Sequence, residues 1–123
     1  MPNPVFHWQI ITPEPDQLAH FYQALFGWTV SQANPLGYRM LQTGAPPRPL
    51  DGGIWPAPPG KPSFIQLHVE VDDMDATLAR AVALGASVLI PKSTLPGGET
   101  MAVLLDPAGI SFGICVRPAA SRG

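Results

Sequence analysis

The chain has 123 residues, enough for one domain with a core of its own and too few for two independent domains. A net charge of -2 with 13% charged residues gives no basic surface for nucleic acid, and no apolar run reaches membrane-spanning length. The first four residues lack the basic and apolar regions of a signal peptide, so we expect a cytoplasmic protein. The single cysteine, Cys115, excludes an intrachain disulfide, and we expect it to be a small buried side chain.

The first half of the chain predicts one helix between strands. Residues 5–12 (VFHWQIIT) alternate, so His7 and Gln9 fall on one face of a strand and Trp8 lies on the other. Glu14-Pro15 is typical of a helix start, and Gly27 is typical of a helix end. Further strands are predicted at residues 28–30, 37–43 and 54–55.

The second half repeats this order. Residues 64–71 (FIQLHVEV) alternate strictly, with Ile65 and Leu67 on the apolar face and Gln66 and His68 on the polar face. Asp72-Asp73 then predicts a helix start, and Gly85 its end. Strands are predicted at residues 87–90, 100–105 and 110–116. The helical residues predicted to face the core are Leu18, Phe21, Tyr22, Leu25, Met74, Leu78, Ala81 and Val82.

Two units of the order βαβββ therefore emerge within one domain, residues 1–123. The first module covers about residues 5–56 and contains a loop with Pro46, Pro47 and Pro49. A proline-rich linker at 56–62 leads to the second module at about 63–116, and a tail follows at 117–123. Two such units could curl their sheets around a shared cleft, with the helices outside.

Four short motifs carry a resemblance to a known family. They are Phe21-Tyr22-x-x-Leu25-Phe26-Gly27-Trp28, Val69-Glu70-Val71-Asp72-Asp73, Ala83-Leu84-Gly85-Ala86 and Asp106-Pro107-x-Gly109. In this order and spacing they resemble the glyoxalase/bleomycin-resistance/extradiol-dioxygenase family, the vicinal oxygen chelate superfamily, over residues 5–116. The resemblance implies an α+β fold in which paired βαβββ modules form a barrel-like mixed sheet around a cleft, often in a homodimer. It implies no single reaction, because metal-dependent isomerases and dioxygenases share this fold with metal-free drug-binding proteins.

The resemblance also implies where a metal would bind. In metal-dependent relatives the ligands lie on the first and last strands of each module, which correspond here to His7, Gly53, Gln66 and Gly113. Two glycines supply no side chain, and one imidazole with one amide would hold a divalent ion weakly, since catalytic sites usually keep about three protein ligands. His68 could replace only one of the missing ligands. We therefore expect no metal cofactor, although a divalent metal stays open as a disfavoured alternative.

The polar strand faces predict a small-molecule pocket instead. The predicted pocket residues are His7, Gln9, Tyr38, Trp55, Gln66, His68 and Met101, with Met40 as a further apolar wall residue. Imidazoles and amides can donate and accept hydrogen bonds to a small polar or aromatic ligand. The simpler alternative is that His68 and Glu70 lie on a solvated or dimer-contacting sheet face.

Three functions follow from this pattern. The first is a metal-free protein that binds a small organic molecule for sequestration, sensing or a minor enzymatic role, with the catalytic residues unknown. The second is a metal-dependent lyase, similar to lactoylglutathione lyase, or a dioxygenase that uses His7 with non-standard ligands. The third, a purely structural dimerisation module, is disfavoured by the repeated polar residues. Whether the protein is an enzyme stays open, and the expected partners are a small ligand and a second copy of the chain.

Overall fold

The structure, a computed structural model, describes residues 2–44 and 50–118. The predicted loop prolines Pro46, Pro47 and Pro49, and the tail from residue 119 onward, lie outside the described residues. The elements are β1 (Val5–Thr12), α1 (Pro15–Phe26), β2 (Thr29–Val30), β3 (Arg39–Gln42), β4 (Gly52–Pro56), β5 (Phe64–Glu70), α2 (Met74–Ala83), β6 (Ser87–Thr94), β7 (Thr100–Leu105) and β8 (Ser111–Val116). This order is βαβββ twice, which confirms the predicted α+β fold class.

The chain divides into two compact units, which we call the N-terminal unit (His7–Gln66) and the C-terminal unit (Leu67–Gly123 with Met1–Phe6). In the N-terminal unit the strands lie in the order β2-β3-β4-β1, with β4 parallel to β1 and the other pairs antiparallel. Helix α1 covers one face of this sheet. The buried core beneath it consists of Ile10, Ala19, Leu41 and Ile54.

The C-terminal unit repeats this arrangement with the order β5-β8-β7-β6. Strand β8 is parallel to β5 and antiparallel to β7, and β6 forms the sheet edge beyond β7. Helix α2 packs against β6 and β8. The buried core of this unit consists of Val71, Met74, Ala102, Leu104 and Ile114.

The two helices begin by different capping arrangements. At α2 the Asp73 carboxylate accepts a hydrogen bond from the Ala76 N–H at 3.0 Å, so the predicted N-cap is confirmed. At α1 the Glu14 side chain makes no capping bond, and Thr12 Oγ1 instead accepts from the Glu14 N–H at 3.0 Å. Helix α1 ends at Gly27, whose φ of 73° is the left-handed conformation that glycine adopts at low cost.

The apolar stripe of each helix is narrower than its periodicity predicts. Phe21 and Leu25 of α1 are 51% and 58% exposed, and Val82 of α2 is 53% exposed, so their assignment to the core was wrong. Helix α1 contacts its sheet through Leu18, Ala19 and Tyr22. A short helix on a sheet of few strands buries only the centre of its apolar face, which explains the difference.

The apolar face of β5 is likewise covered over only part of its length. Ile65 and Leu67 are 61% and 51% exposed, whereas Val69 and Val71 pack into the core beside α2. Strict alternation predicts which face a side chain takes, but not how far along the strand a helix covers that face. No helix in the described ranges combines the length and apolarity that crossing a membrane requires.

Candidate functional site

The polar face of the N-terminal unit is built on β1. Because side chains alternate along a strand, Trp8 and Ile10 point to the core and leave His7 and Gln9 on the opposite face, as predicted. Gln9 lies beside Gly53 in the parallel register of β1 with β4. Gln9 is buried and His7 is half-buried, so these two polar groups lie largely out of solvent.

Tyr38 reaches this face from the loop before β3. The Asn34 side-chain oxygen accepts hydrogen bonds from the backbone N–H groups of Leu36 and Tyr38, both at 2.9 Å. The Asn34 N–H in turn donates to the Tyr38 carbonyl at 2.9 Å. This Asx-type turn holds the backbone of Tyr38 from both sides. Its ring then packs against Trp55 of β4, with the ring centroids 4.7 Å apart.

The Tyr38 hydroxyl connects the polar groups of the face. Its oxygen lies 2.7 Å from His7 Nε2. Burial raises the pKa of Tyr38 to about 12, against an opposing effect of the nearby Gln9 side chain. Burial also lowers the pKa of His7, against opposing effects of the Asp51 backbone and charge. At pH 7 and above, a protonated phenol therefore faces a neutral imidazole.

Two adjacent glycines of β4 make room for two aromatic rings. A side chain at Gly52 would overlap the Trp8 ring on the core face, and a side chain at Gly53 would overlap the Tyr38 ring on the polar face. The sequence predicted a strand beginning only at Ile54, with the glycines in a flexible lead-in. Both glycines in fact belong to the strand. Glycine is needed at these two strand positions because neighbouring rings occupy the space that side chains would fill.

The C-terminal unit presents a related face on β5 and β8. His68 is buried and lies opposite Gly113, where an added side chain would overlap the imidazole. Met101 of β7 pairs with Cys115 of β8, and Cys115 is buried, which confirms that prediction. Burial, with the nearby charge of Glu99, raises the pKa of the Cys115 thiol to about 11, which disfavours the reactive thiolate.

An ion pair on the C-terminal unit was missed by the sequence reasoning. Arg117, at the start of the predicted tail, donates to both Glu70 carboxylate oxygens at 3.1 and 3.0 Å. Its guanidinium also lies 5.0 Å from the centre of the Phe6 ring. No pattern in the sequence indicates this pair, because it depends on the register that places Glu70 beside Cys115, two residues before the arginine.

The residues at the family's metal positions do not fit a metal. The Tyr38 ring fills the space beside Gly53, the His68 ring fills the space beside Gly113, and His7 Nε2 is engaged by the Tyr38 hydroxyl. No group of three or more His, Cys, Asp or Glu side chains able to hold an ion occurs within residues 2–44 and 50–118. The donor set thus offers a divalent ion neither carboxylates nor an open imidazole at these positions.

The predicted pocket residues fall into two sets. In the N-terminal unit Tyr38 contacts His7 and Trp55, and the Gln9 side chain lies near enough to affect the pKa of Tyr38. His68 and Met101 lie in the C-terminal unit, and Gln66 is buried on β5. A groove of about 320 Å³ along α2 is lined by none of these residues. The assignment of all seven to a ligand pocket stays a prediction.

Comparison with known proteins identifies the family. A family model described as a glyoxalase-like domain matches residues 7–115. The chain belongs to the glyoxalase-like domain family. It is also 35% identical over 114 residues to CFP32 of Mycobacterium tuberculosis, whose printed name is "Putative glyoxylase", and the same figures hold for its Mycobacterium bovis counterpart. The match covers 90% of this glyoxalase-like domain and 42% of the relatives, so the chain spans about two-fifths of their length.

Solved structures share the fold. Methylmalonyl-CoA epimerase from Mycobacterium tuberculosis superimposes with a TM-score of 0.66 and 16% identity, over 95% of this chain and 90% of the epimerase. A hypothetical protein from Bacillus halodurans gives a TM-score of 0.69 at 12% identity, over 96% of each chain. The Streptomyces coelicolor methylmalonyl-CoA epimerase gives 0.65 at 20% identity, over 94% of this chain and 97% of that one. At these identities the likeness shows the fold alone.

The packing of Tyr38 on Gly53 predicts a strong energetic coupling. We expect Gly53→Ala to destabilise the protein by about 1–3 kcal/mol, because the added methyl group forces the ring to move. In a Tyr38→Ala background the same change should cost much less. Urea denaturation of the wild type, both single variants and the double variant measures this coupling. An equal cost of Gly53→Ala in both backgrounds would contradict the steric explanation.

The lowered pKa of His7 predicts a pH dependence of stability. In the unfolded chain the imidazole has a pKa of about 6.5, so as the pH falls below that value the unfolded state binds a proton more readily than the folded state. As the pH falls from about 6.5 to the lowered pKa of His7 in the folded protein, the wild type should therefore lose free energy of unfolding relative to His7→Gln. Above pH 7 the difference between the two proteins should not change. Urea denaturation from pH 7.5 to 5 tests this. A difference between the two proteins that does not change with pH would contradict the prediction. The control is His20→Gln, on the exposed side of α1.

Proposed function

We propose that this glyoxalase-like domain binds a small organic molecule without a catalytic metal. The observation that carries the proposal is the Tyr38 hydroxyl, which lies 2.7 Å from His7 in the space that a ligand side chain at position 53 would need. A hydrogen-bonded phenol at the position of a metal ligand can recognise polar groups of a bound molecule. It cannot polarise them in the way that a metal ion does.

The chemistry of the N-terminal face supports this role. Tyr38 and Trp55 provide flat half-buried surfaces, and Gln9 and His7 provide polar atoms beside them. Small-molecule sites commonly combine apolar walls with a few convergent polar groups of this kind. His68 and Met101 give the C-terminal unit a second, smaller face, and we propose the same role for it. Binding of this kind serves sequestration, sensing or a minor enzymatic activity.

Catalysis is the second candidate, favoured by the names of the relatives. The compared epimerases include one in complex with methylmalonyl-CoA, so acyl thioesters belong among the compounds to be tested. The neutral imidazole of His7 would act as a general base only after its Nε2 is released from the Tyr38 hydroxyl. The metal-dependent alternative, a lyase or dioxygenase built on His7, would need carboxylate ligands that Gly53 and Gly113 do not supply.

A metal analysis of the purified protein and a ligand screen together test the proposal. The protein is dialysed mildly, its zinc, nickel and iron are measured by elemental analysis, and thermal stabilisation by small aromatic, dicarbonyl and acyl-thioester compounds is recorded. We expect well under one metal ion per chain and at least one stabilising compound. Gln9→Leu should lower the affinity for that compound by about two- to tenfold, because a neutral hydrogen bond is worth about 0.5–1.5 kcal/mol. Gln23→Leu, an exposed glutamine on α1, should leave its affinity unchanged.

Two results of this screen would contradict the proposal. If compounds bind equally well to wild type and Gln9→Leu, the polar face is only a solvated surface. If the purified protein holds near-stoichiometric metal that His7→Ala removes, the metal-dependent alternative is correct.

We also propose that the protein forms a homodimer through β6. All eight residues of β6 are exposed, and among them Val88, Leu89 and Ile90 form an apolar patch at the sheet edge. Pro91 and Lys92 of the same strand oppose backbone pairing with another edge, so the contact would be made by side chains.

Light scattering at micromolar concentration tests the assembly. We expect about twice the chain mass of 13.1 kDa, since burying the apolar patch against a second copy offsets the cost of association. Ile90→Lys should give a monomer. The same change at Ile110, a more exposed isoleucine in the turn before β8, should leave the dimer intact. A wild-type monomer at all concentrations would refute the proposal.

A further inference from the structure

Both backbone polar groups of Tyr38 are bonded to Asn34. The Tyr38 N–H donates to the Asn34 side-chain oxygen at 2.9 Å, and the Tyr38 carbonyl accepts from the Asn34 N–H at 2.9 Å. The pairing of β3 with β4 starts one residue later in the chain, at Arg39 opposite Ile54. Tyr38 therefore lies just outside the strand pairing, and the turn at Asn34 fixes its backbone.

The chain uses the same turn a second time, with aspartate in place of asparagine. The two segments are Asn34-Pro35-Leu36-Gly37 and Asp106-Pro107-Ala108-Gly109. In each, the oxygen of the first side chain accepts from the backbone N–H groups two and four residues later, all at 2.9 Å. The two glycines have φ values of 87° and 88°, in the left-handed region. An Asp carboxylate therefore forms both of the bonds that the Asn34 amide forms.

The two turns place different side chains. The residue after the glycine is Tyr38 in the first turn and Ile110 in the second. Tyr38 is half-buried and packs on Trp55, whereas Ile110 is 64% exposed. Loss of the turn at Asn34 would therefore act on the polar face of the N-terminal unit, and loss of the turn at Asp106 would not. This difference makes Asp106 a matched control.

We propose that Asn34 is a positioning residue for ligand binding in the N-terminal unit. Its side-chain oxygen holds the Tyr38 backbone, so the ring already lies against Gly53 and Trp55 before a ligand arrives. A binding surface that is ordered in advance loses less conformational entropy when it binds. This inference rests on the proposed small-molecule binding and names the residue that orders the binding surface.

Loss of the Asn34 oxygen should loosen this surface without unfolding the protein. The two hydrogen bonds to the oxygen, from the N–H groups of Leu36 and Tyr38, lie at exposed positions where water can replace the acceptor. We therefore expect Asn34→Ala to stay folded with a more mobile Tyr38 ring. Asn34→Ser, whose hydroxyl forms such turns more weakly, should give an intermediate effect.

The order of the ring can be measured without a ligand. A side chain at Gly53 would overlap the Tyr38 ring, so the Gly53 α-protons and the ring protons should give a strong nuclear Overhauser effect. We expect this effect in the wild type and a much weaker one in Asn34→Ala. Asn34→Asp retains the acceptor and should keep the full effect, as should Asp106→Ala. An unchanged effect in Asn34→Ala would overturn the inference.

The affinity is measured with benzamide and with any compound that stabilises the protein in the screen. Benzamide has a flat ring to lie on Tyr38 and Trp55, and its amide both donates and accepts hydrogen bonds. By NMR titration we expect Asn34→Ala to bind about two- to tenfold more weakly than the wild type, the cost of immobilising about one side chain. Asn34→Asp should bind like the wild type. Asp106→Ala should do so too, although it loses an equivalent turn.

The outcomes separate this inference from the proposed function. If Asn34→Ala binds as tightly as the wild type, or if Asp106→Ala weakens binding equally, Asn34 is not a positioning residue and small-molecule binding stands. If Asn34→Asp binds as weakly as Asn34→Ala, the hydrogen-bond explanation is wrong and the inference fails with it. If the wild type binds neither benzamide nor any compound of the screen, the inference and the proposed function both fail.

Discussion

The close packing of Tyr38 against Gly53 is the contact on which the N-terminal face depends. Strand β4 brings two glycines in succession, and their opposite faces receive the Trp8 ring and the Tyr38 ring. On one side Trp8 joins the core and donates through its indole N–H to the Leu50 carbonyl at 2.7 Å. On the other side the Tyr38 hydroxyl comes within 2.7 Å of His7 Nε2, and position 53 has no side chain that would overlap the Tyr38 ring. The glycine is therefore a packing requirement of the polar face.

The two units fill equivalent positions with rings from different strands. Beside Gly53 the ring is that of Tyr38, which precedes β3, whereas beside Gly113 it is that of His68 on β5. In the C-terminal unit Met101 lies two residues before Val103, the partner of Gly113, as Tyr38 lies two residues before Met40, the partner of Gly53. An internal repeat thus preserves the backbone register while each unit places its own polar group. The N-terminal unit therefore places a phenol beside Gly53, and the C-terminal unit places an imidazole beside Gly113. Neither glycine position carries a carboxylate.

Membership of the glyoxalase-like family determines the scaffold and leaves the chemistry to individual side chains. Several structural neighbours that superimpose over 90% or more of this chain are methylmalonyl-CoA epimerases, and these share only 16–20% of its residues. At such identity the side chains at a site can change completely while the strands persist. The proposed function therefore rests on the residues of the polar face, Tyr38, His7 and Gln9.

Local patterns in the sequence determined the secondary structure. Alternation on β1 and β5 and the Asp73 cap are properties of neighbouring residues, and they predicted the βαβββ repeat and the polar faces with His7, Gln9 and His68. The two glycines at the family's metal positions were also visible, and they predicted that a metal would be poorly held. Periodicity overestimated the core, since Phe21 and Leu25 satisfy the helical spacing and are exposed.

Only the tertiary structure decided which of the polar residues meet. The Tyr38 hydroxyl and His7 Nε2 are 31 positions apart and come within 2.7 Å because β4 lies between β3 and β1 in the sheet. The Glu70–Arg117 pair, 47 positions apart, depends in the same way on β8 lying beside β5. Sequence spacing determines the face on which a side chain lies, because the strand period is two. Contact between strands depends on sheet order and register, which burial and pairing of the whole unit select.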